Sequence, residues 1–267
     1  MVSMRIPVAM TIAGSDSSAG AGIQADLKTF THFHVHGLTA VTCVVAEVPG
    51  RVQSIQAVDV QVVRDQIRLG FETYTVSAVK TGMLYSAAII EAVCDELERL
   101  SQAARPAVVV DPVMIASSGD PLLEPLAVNG YMERLLPLAS LVTPNLDEAG
   151  ALTGRKLASL ADLRTAGNEL AARFGVPFLV KGGHLQGETA VDALFGPGAP
   201  TEFTAPFVPR ACTHGTGCTY SAAIAAQLAL GRDLSAAIGE AKLFVTRAIR
   251  ESLDWSRPQP VSALKQW

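Results

Sequence analysis

Short apolar runs alternate along the chain with longer segments in which apolar residues recur every third or fourth position. The first pattern is typical of buried strands, and the second of the helices that cover them. The apolar runs predict strands over residues 8–14, 38–46, 78–83, 107–113, 141–143 and 177–181. The periodic segments predict helices over residues 22–34, 60–71, 87–100, 160–174, 218–230 and 234–253. This alternation predicts parallel strands joined by right-handed crossovers.

The rest of the pattern completes one domain. Residues 190–195 and 202–206 predict a strand pair around a turn at 196–198. The stretch from Pro258 has little pattern, and we expect it to lie on the surface. No repeat, low-complexity tract or long linker interrupts the chain. We therefore expect a single α/β domain over residues 1–267.

Composition narrows the functional classes without changing this fold. Apolar residues make up 49% of the chain, aromatic residues 6% and charged residues 17%, a mixture that suits buried strands under Ala-rich helices. The net charge is −4 and the basic residues are scattered, so the chain shows no nucleic-acid footprint. No apolar run reaches the length of a membrane span. Residues 6–14 imitate the core of a signal peptide, but an ordinary first strand accounts for them.

The cysteines form no metal-binding pattern. They are Cys43, Cys94, Cys212 and Cys218, without a C-x-x-C pair or zinc-finger spacing to histidine. Two of them lie in apolar runs, where cysteine behaves as a small buried hydrophobic residue. We therefore expect a reduced, cytoplasmic protein.

The strongest local signal is the sequence THGTGC at residues 213–218, directly before an Ala-rich helix. Glycines let the backbone approach a ligand closely, and the first amides of a helix have no partner within the helix. Such a helix start binds phosphate through its amides and the positive end of its dipole. We therefore predict phosphate transfer at Gly215, Thr216, Gly217 and Cys218. A helix N-terminus lowers a thiol pKa and a nearby triphosphate raises it, so the charge of Cys218 stays open.

Polar side chains follow the predicted strands at their carboxyl ends, where ligands collect in open α/β sheets. They are Asp16, Glu47, Asp111, Asn145, Glu148 and Lys181. Asn145 and Glu148 are spaced to reach one locus, and their oxygens suit Mg²⁺ held largely through water. Lys181 can neutralise charge on a phosphate. Each residue alone is compatible with a helix cap or a solvated turn, but the set favours an ATP- and Mg²⁺-dependent small-molecule kinase.

A competing motif lies near the first predicted strand. Residues 20–25, with the sequence GAGIQA, fit the dinucleotide fingerprint G-x-G-x-x-G/A, and Glu47 fits the ribose-binding acid. This interpretation predicts an NAD(P)-dependent oxidoreductase. However, residues 15–19 separate the fingerprint from its strand, and the second glycine cluster is left without a role. A third alternative is a non-catalytic ligand sensor. The intact phosphate loop argues against it, because a sensor would more naturally have a damaged one.

The motifs together resemble the hydroxymethylpyrimidine/phosphomethylpyrimidine kinases of thiamin biosynthesis, within the ribokinase-like superfamily. The matching blocks are TIAGSD (11–16), GAGIQADLKTF (20–30), KTGML (80–84), VDPVM (110–114), TPNLDEA (143–149), VKGGH (180–184) and HGTGCT (214–219). This resemblance covers nearly the whole chain. It implies a ribokinase-like three-layer sandwich, with a mostly parallel central sheet flanked by helices, and a homodimer. It also implies ATP- and Mg²⁺-dependent phosphorylation of 4-amino-5-hydroxymethyl-2-methylpyrimidine and of its monophosphate.

The same resemblance implies roles for individual residues. The substrate pocket would be formed by Gly14, Asp26, Glu47, Met83 and Val113. The nucleotide would be held by Asp111, Lys181, Thr213 and Lys242, and magnesium would be organised by Asn145, Glu148 and Asp111. The loop at 215–218 would be the anion hole for the γ-phosphate. The reacting hydroxyl would lie beside Cys218, where related sugar kinases carry an aspartate base.

Two positions depart from the family pattern. Glu47 and Val48 stand where the family usually has glutamine and asparagine. Glutamine can donate to a pyrimidine nitrogen and accept from its amino group, whereas ionised glutamate only accepts. Glu47 therefore requires a protonated aminopyrimidine, a protonated carboxyl or another ligand, and pyridoxal-type substrates are the alternative. Ser117 stands where many relatives have a lysine, which predicts weaker binding of the nucleotide phosphates. Residues 117–123 and 196–205 are the candidates for a loop that closes over the substrate.

Overall fold

The computed structural model describes residues 6–100, 105–114, 127–183, 185, 187–209, 214–256 and 261–267. Its strands are β1 (Val8–Asp16), β2 (His36–Val48), β3 (Arg51–Ala57), β4 (Val76–Thr81), β5 (Ala107–Val110), β6 (Leu141–Val142), β7 (Phe178–Lys181), β8 (Thr189–Phe195), β9 (Thr201–Pro206), β10 (Leu253–Trp255) and β11 (Val261–Ala263). Its α-helices are α1 (Gly22–His32), α2 (Val60–Thr73), α3 (Ala87–Glu98), α4 (Ala127–Gly130), α5 (Leu146–Thr153), α6 (Leu160–Phe174), α7 (Thr216–Ala229) and α8 (Leu234–Arg250).

Nine of these strands form one sheet in the order β3-β2-β1-β4-β5-β6-β7-β8-β9. The strands from β2 to β7 in this order run parallel, while β3 and β8 are antiparallel to their neighbours and β9 is antiparallel to β8. The central strands are apolar at almost every position, as expected where both faces of a parallel sheet are covered. The carboxyl ends of the six parallel strands therefore meet at one edge.

Helices cover both faces of this sheet. Successive β1 residues point in opposite directions, so Met10 belongs to the core under α2, α3, α5 and α6, and Ala9 to the core under α1, α7 and α8. The Ala-rich helix α7 packs against β4, β5, α1 and α8. Its small side chains, including Ala222 and Ala226, are fully buried. This arrangement confirms the predicted three-layer α/β sandwich and brings the start of α7 to the carboxyl edge.

Most predicted elements are confirmed to within a few residues, but several regions differ. The helices α4 and α5 were not predicted. The pattern missed β3, which folds back on β2 through Gly50 at a φ of +81°. The apolar residues of β3 are separated by exposed polar residues, so the sequence contains no apolar run that would predict this strand. The helix predicted to reach residue 253 ends at Arg250, and β10 pairs with β11. The expectation of a surface stretch is wrong for residues 264 and 266, because Leu264 and Gln266 are buried.

None of the described helices combines the length and the apolar character needed to cross a membrane.

Packing rather than backbone conformation requires Gly167 inside α6. A Cβ there would lie 2.2 Å from ring atoms of the buried Phe195. We expect Gly167→Ala to lower the free energy of unfolding by about 1–3 kcal/mol, because the ring must shift. Gly239 in α8 has no atom within 4 Å of the same position. As the matched control, Gly239→Ala should raise the free energy of unfolding by about 0.5–1 kcal/mol in urea denaturation, and equal effects in both variants would contradict this account.

Candidate active site

The carboxyl edge of the sheet opens into a cavity of about 610 Å³, the size of a small-ligand site. Its wall contains most of the residues predicted for substrate, nucleotide and metal: Gly14, Glu47, Met83, Asp111, Val113, Asn145, Glu148, Lys181, Gly215, Thr216, Gly217, Cys218 and Lys242. The structure therefore brings these residues to one place. Thr213 and Ser117 lie outside the described residues, and Asp26 does not line the cavity.

The start of α7 presents unpartnered hydrogen-bond donors to this cavity. Five helices (α2, α3, α5, α6 and α8) begin at a capping side chain, whereas α1 and α7 have none. The Thr216 hydroxyl is buried and has no hydrogen-bond partner among the residues that the structure describes. A Cβ on Gly217 would lie 3.2 Å from Lys181 Nζ, so the glycine leaves room in front of that ammonium group. Free amides, a free hydroxyl and a lysine around one space form an anion site.

Cys218 lies in the first turn of α7, and its thiol is only partly exposed. Burial raises the pKa of Cys218 to about 11, although Lys80 nearby and the backbone amide of Gly22 favour the thiolate. Burial therefore favours the neutral thiol of Cys218 at neutral pH. It is suited to hydrogen bonding with a substrate hydroxyl rather than to acting as an anionic base.

A buried ion pair lies behind Cys218. Asp26 is fully buried, accepts from Thr11 Oγ1 at 2.6 Å and pairs with Lys80 Nζ at 2.9 Å. The predicted contact of Asp26 with substrate therefore stays a prediction, since its carboxylate pairs with Lys80, which does line the cavity. Burial opposes the charge of Lys80, but the Asp26 carboxylate outweighs it and raises the pKa of Lys80. Sequence reasoning gave Lys80 no role, although a lysine within the apolar run at 78–83 was an available signal.

A second ion pair joins the ends of β5 and β7. Asp111 Oδ1 accepts from Lys181 Nζ at 3.1 Å and from Thr143 Oγ1 at 3.3 Å, and its Oδ2 accepts from Ser221 Oγ of α7 at 3.0 Å. Burial alone would raise the pKa of Asp111, but the neighbouring Lys181 and Lys80 lower it, so the carboxylate is charged. Lys242 makes a similar pair with the buried Asp192 at 2.6 Å. The predicted nucleotide-binding residues Asp111, Lys181 and Lys242 thus lie in the cavity wall as members of ion pairs.

Asn145 and Glu148 begin α5 as a reciprocal capping box. The Asn145 side chain accepts from the Glu148 amide, and Glu148 Oε2 accepts from the Asn145 amide, both at 2.9 Å. Burial raises the pKa of Glu148 to about 7. Asn145 and Glu148 therefore do cap the helix, and this role is compatible with their predicted role in binding Mg²⁺. Glu148 and Asp111 line one cavity with hard oxygen donors, which fits Mg²⁺ held mainly through water and substrate phosphates.

The end of the cavity that holds Glu47 carries a cluster of three titratable residues, Asp16, Glu47 and His214, of which Glu47 and His214 line the wall. Asp16 Oδ2 lies 2.9 Å from His214 Nε2 and also accepts from the amides of Gly20 and Ala21. A carboxylate oxygen of Glu47 lies within 4.8 Å of ligand atoms on both Asp16 and His214. Burial and the Asp16 charge raise the pKa of Glu47 to about 7, although His214 opposes them. Sequence reasoning gave no role to the Asp16–His214 contact, which joins distant motifs.

Gly14 and a strained valine, Val113, line this end of the cavity. The Gly14 amide donates to Met83 O at 3.1 Å, and a Cβ on Gly14 would lie 2.7 Å from Cys43 Sγ. Val113 has a φ of +40°, a strained conformation for a β-branched residue and a kind of strain that collects at ligand sites. The predicted substrate residues Gly14, Glu47, Met83 and Val113 therefore lie together. Asp26 is the exception.

A family model described as phosphomethylpyrimidine kinase matches residues 16–260. The chain belongs to the phosphomethylpyrimidine kinase family. This membership confirms the predicted kinase class and sets the oxidoreductase interpretation aside. The competing fingerprint at 20–25 lies beside the glycine loop at 215–217, since Gly20 packs against His214 and Gly215.

Relatives of this kinase family resemble the chain over nearly its full length. The hydroxymethylpyrimidine/phosphomethylpyrimidine kinase of Rhizobium meliloti is 44% identical over 243 residues, covering 91% of this chain and 90% of that protein. The ADP complex of Bacillus subtilis pyridoxal kinase has a TM-score of 0.88 at 38% identity, covering 98% of this chain and 97% of that chain. Phosphomethylpyrimidine kinase from Clostridium difficile has a TM-score of 0.79 at 38% identity, covering 91% and 99%. These similarities confirm the ribokinase-like fold.

The raised pKa of Glu47 predicts a dependence of stability on pH. The folded protein holds this proton up to about pH 7, above the ordinary value of 4.5, so stability falls as pH rises through that window. The pKa of His214 is also raised, because the effect of Asp16 and Glu47 outweighs that of burial. Deprotonation of His214 therefore lowers stability further as pH rises above 6.5. We expect Glu47→Gln to flatten the curve and to gain about 1 kcal/mol at alkaline pH, a value reduced for partial exposure.

Urea denaturation at several pH values, from mildly acidic to mildly alkaline, measures this effect. Glu251→Gln is the control, because this carboxyl has no burial and its pKa is lowered by Lys265 rather than raised. Parallel curves for Glu47→Gln and the parent protein would show that Glu47 is ionised in the folded state.

Proposed function

We propose that this protein uses ATP to phosphorylate 4-amino-5-hydroxymethyl-2-methylpyrimidine and its monophosphate, as the names of its relatives describe for related pyrimidines. One observation carries the proposal: the uncapped start of α7, with an unpartnered Thr216 hydroxyl, faces the same cavity as Lys181 and Glu47. An anion site and a heterocycle-sized pocket in one space are what a small-molecule kinase requires. The ADP complex of the Bacillus subtilis pyridoxal kinase supports ATP as the phosphate donor.

Phosphoryl transfer needs alignment and charge neutralisation more than covalent chemistry. In our proposal the amides at Thr216 and Gly217, with the Thr216 hydroxyl, bind the γ-phosphate oxygens, while Lys181 neutralises charge on the phosphates. The hydroxymethyl oxygen lies beside Cys218 and attacks the γ-phosphorus as the bond to the β,γ-bridging oxygen breaks, so that ADP leaves and the hydroxyl proton passes to an oxygen of the transferred phosphate. Cys218 orients this hydroxyl as a neutral hydrogen-bonding thiol.

Magnesium belongs to the same proposal. Glu148 and Asp111 would hold the ion, mainly through water, with the amide oxygen of Asn145 remaining in the α5 cap. When bound, the ion supplies neutralisation of charge on the transferring phosphate. The Glu148 carboxyl, whose pKa is about 7, loses its proton when a cation is held beside it.

A specific observation supports pyridoxal-type substrates as the second candidate. Glu47 stands at the substrate end with a pKa of about 7, so its carboxyl can donate or accept a hydrogen bond near neutral pH. The high structural similarity to the Bacillus subtilis pyridoxal kinase points the same way. Pyridoxal shares with the pyrimidine a hydroxymethyl group on an aromatic nitrogen heterocycle, so the same transfer geometry would serve both.

We also propose that the protein acts as a homodimer in the cytoplasm. Val44 and Val48 point to the same side of β2 and are 53% and 47% exposed, which supports an interface there. Cys43, Cys94 and Cys218 are free thiols, which supports a reducing compartment that also contains ATP.

A parallel ATP-consumption assay with the pyrimidine alcohol, its monophosphate and pyridoxal tests the function. We expect the parent protein to use both pyrimidines, and Cys218→Ala to lose about 100-fold in kcat on the alcohol and less on the monophosphate, whose anionic oxygen has no hydroxyl proton for the thiol to orient. Cys94→Ala is the control, because Cys94 is buried outside the cavity. Equal losses of Cys218→Ala on both substrates would contradict the role of the thiol.

The same assay with Glu47→Gln decides between the two substrate classes. We expect the variant to improve the ratio of kcat/KM for the pyrimidine over pyridoxal by about 10-fold, because the amide donates and accepts at once. If the variant matches the parent protein on every substrate, Glu47 does not select the heterocycle. If none of the three substrates stimulates ATP consumption, the proposed function is overturned.

Light scattering over a range of protein concentrations tests the dimer. We expect a dimer mass for the parent protein and a shift towards monomer in the double variant Val44→Lys/Val48→Lys, because buried lysines in an interface lack partners. A monomer mass for the parent at every concentration would overturn the proposal.

A further inference from the structure

Gln266 is fully buried, although it follows a stretch of chain with no strong sequence pattern. Its Nε2 donates to Gly20 O at 3.0 Å and to Thr219 Oγ1 at 2.9 Å, while its Oε1 is buried and has no partner within the described part of the chain. A buried amide with one unsatisfied oxygen is costly for the fold. The side chain is therefore placed for the two bonds made by its nitrogen.

The first bond fixes the loop that leads from β1 to α1. The Gly20 amide donates to Asp16 Oδ2 at 3.0 Å, and a Cβ on Gly20 would lie 2.7 Å from the ring of His214. The Gly20 carbonyl is the oxygen that would lie 1.9 Å from a Cβ on Gly215. Gln266 thus holds the carbonyl of a residue that contacts Asp16, His214 and the phosphate loop.

The second bond fixes the first turn of α7. Thr219 is fully buried, and its amide donates to Gly215 O at 2.9 Å. The neighbouring Trp267 adds a contact on the other side, since Lys28 Nζ lies 5.8 Å from its ring and donates to Ala19 O at 2.7 Å. Residues 266 and 267 therefore secure both glycine loops from outside the cavity.

We infer that Gln266 is a positioning residue, which fixes the β1–α1 loop against the first turn of α7 and thereby sets the distance between the substrate hydroxyl and the transferring phosphate. Gln266 does not line the cavity, so it acts through Gly20 and Thr219. This inference rests on the proposed function for its kinetic consequence. Its structural consequence, a loosened Asp16–His214 contact, does not depend on the substrate.

Gln266→Met tests the inference, because methionine keeps the length of the side chain and removes the donor. A misplacement of about 1 Å can cost 10²-fold in rate, so we expect kcat to fall by about 10- to 100-fold while the KM for ATP changes less than about twofold. Thr219→Val removes only the α7 end of the bridge and should give a smaller fall in kcat. It also keeps the inference testable if Gln266→Met does not fold.

Gln227→Met is the matched control. Like Gln266, Gln227 is buried and has an Oε1 without a partner among the described residues. It lies in α7, the helix of Thr219, and does not line the cavity. We expect thermal unfolding to shift similarly in Gln227→Met and Gln266→Met, with kcat falling only in the latter. Equal kcat losses in both variants, or a Gln266→Met enzyme with the parent's kcat, would overturn the inference.

NMR titration of the His214 ring gives a readout without substrate. Asp16 and Glu47 are the charged groups that favour its protonation in the parent protein. We expect the pKa of His214 to fall towards 6.5 in Gln266→Met and to stay unchanged in Gln227→Met. An unchanged titration in Gln266→Met would overturn the positioning role. If the parent protein phosphorylates no substrate, the proposed function fails while this titration still decides the role of Gln266.

Discussion

The carbonyl oxygen of Gly20 lies against the Cα of Gly215, where a Cβ would be 1.9 Å away, and Gly215 also has a φ of +78°. Both conditions require glycine. This contact sets the starts of α1 and α7 side by side at the carboxyl edge of the sheet, each without a capping side chain. The two glycine motifs, which compete as separate fingerprints in the sequence, are therefore two halves of one site.

Three lysine–aspartate pairs place positive charge in the cavity wall. Lys80, Lys181 and Lys242 line the cavity, and each pairs with a buried aspartate at 2.9, 3.1 and 2.6 Å. Taking such charges out of water costs several kcal/mol per ion, which the pairing offsets only in part. The benefit lies in function, since fixed charges need no reorganisation when an anionic ligand arrives. The unpartnered Asp26 Oδ1 is consistent with a pair placed for this purpose.

The order of strands and helices was predictable because apolar periodicity is local, and the phosphate loop because glycines before a helix are local too. Contacts between distant segments were not. Asp26 has the sequence context of a substrate residue, yet its carboxylate faces Lys80, 54 positions away. Gln266 reaches Gly20 across 246 positions, and no periodicity signals that meeting. Glu148 shows a third case, in which a capping box and a metal-binding pattern use the same residue types.

The two ends of the cavity differ in how their charge responds to pH. At the phosphate end, Lys181 and Lys80 lower the pKa of Asp111 against the effect of burial, so the charges stay fixed. At the substrate end, burial and Asp16 bring the pKa of Glu47 to about 7. Such a carboxyl accepts hydrogen bonds in one form and donates in the other, whereas glutamine does both at once. This difference is why we propose that Glu47 selects the heterocycle, whereas the fixed charges of the phosphate end would serve any hydroxymethyl group.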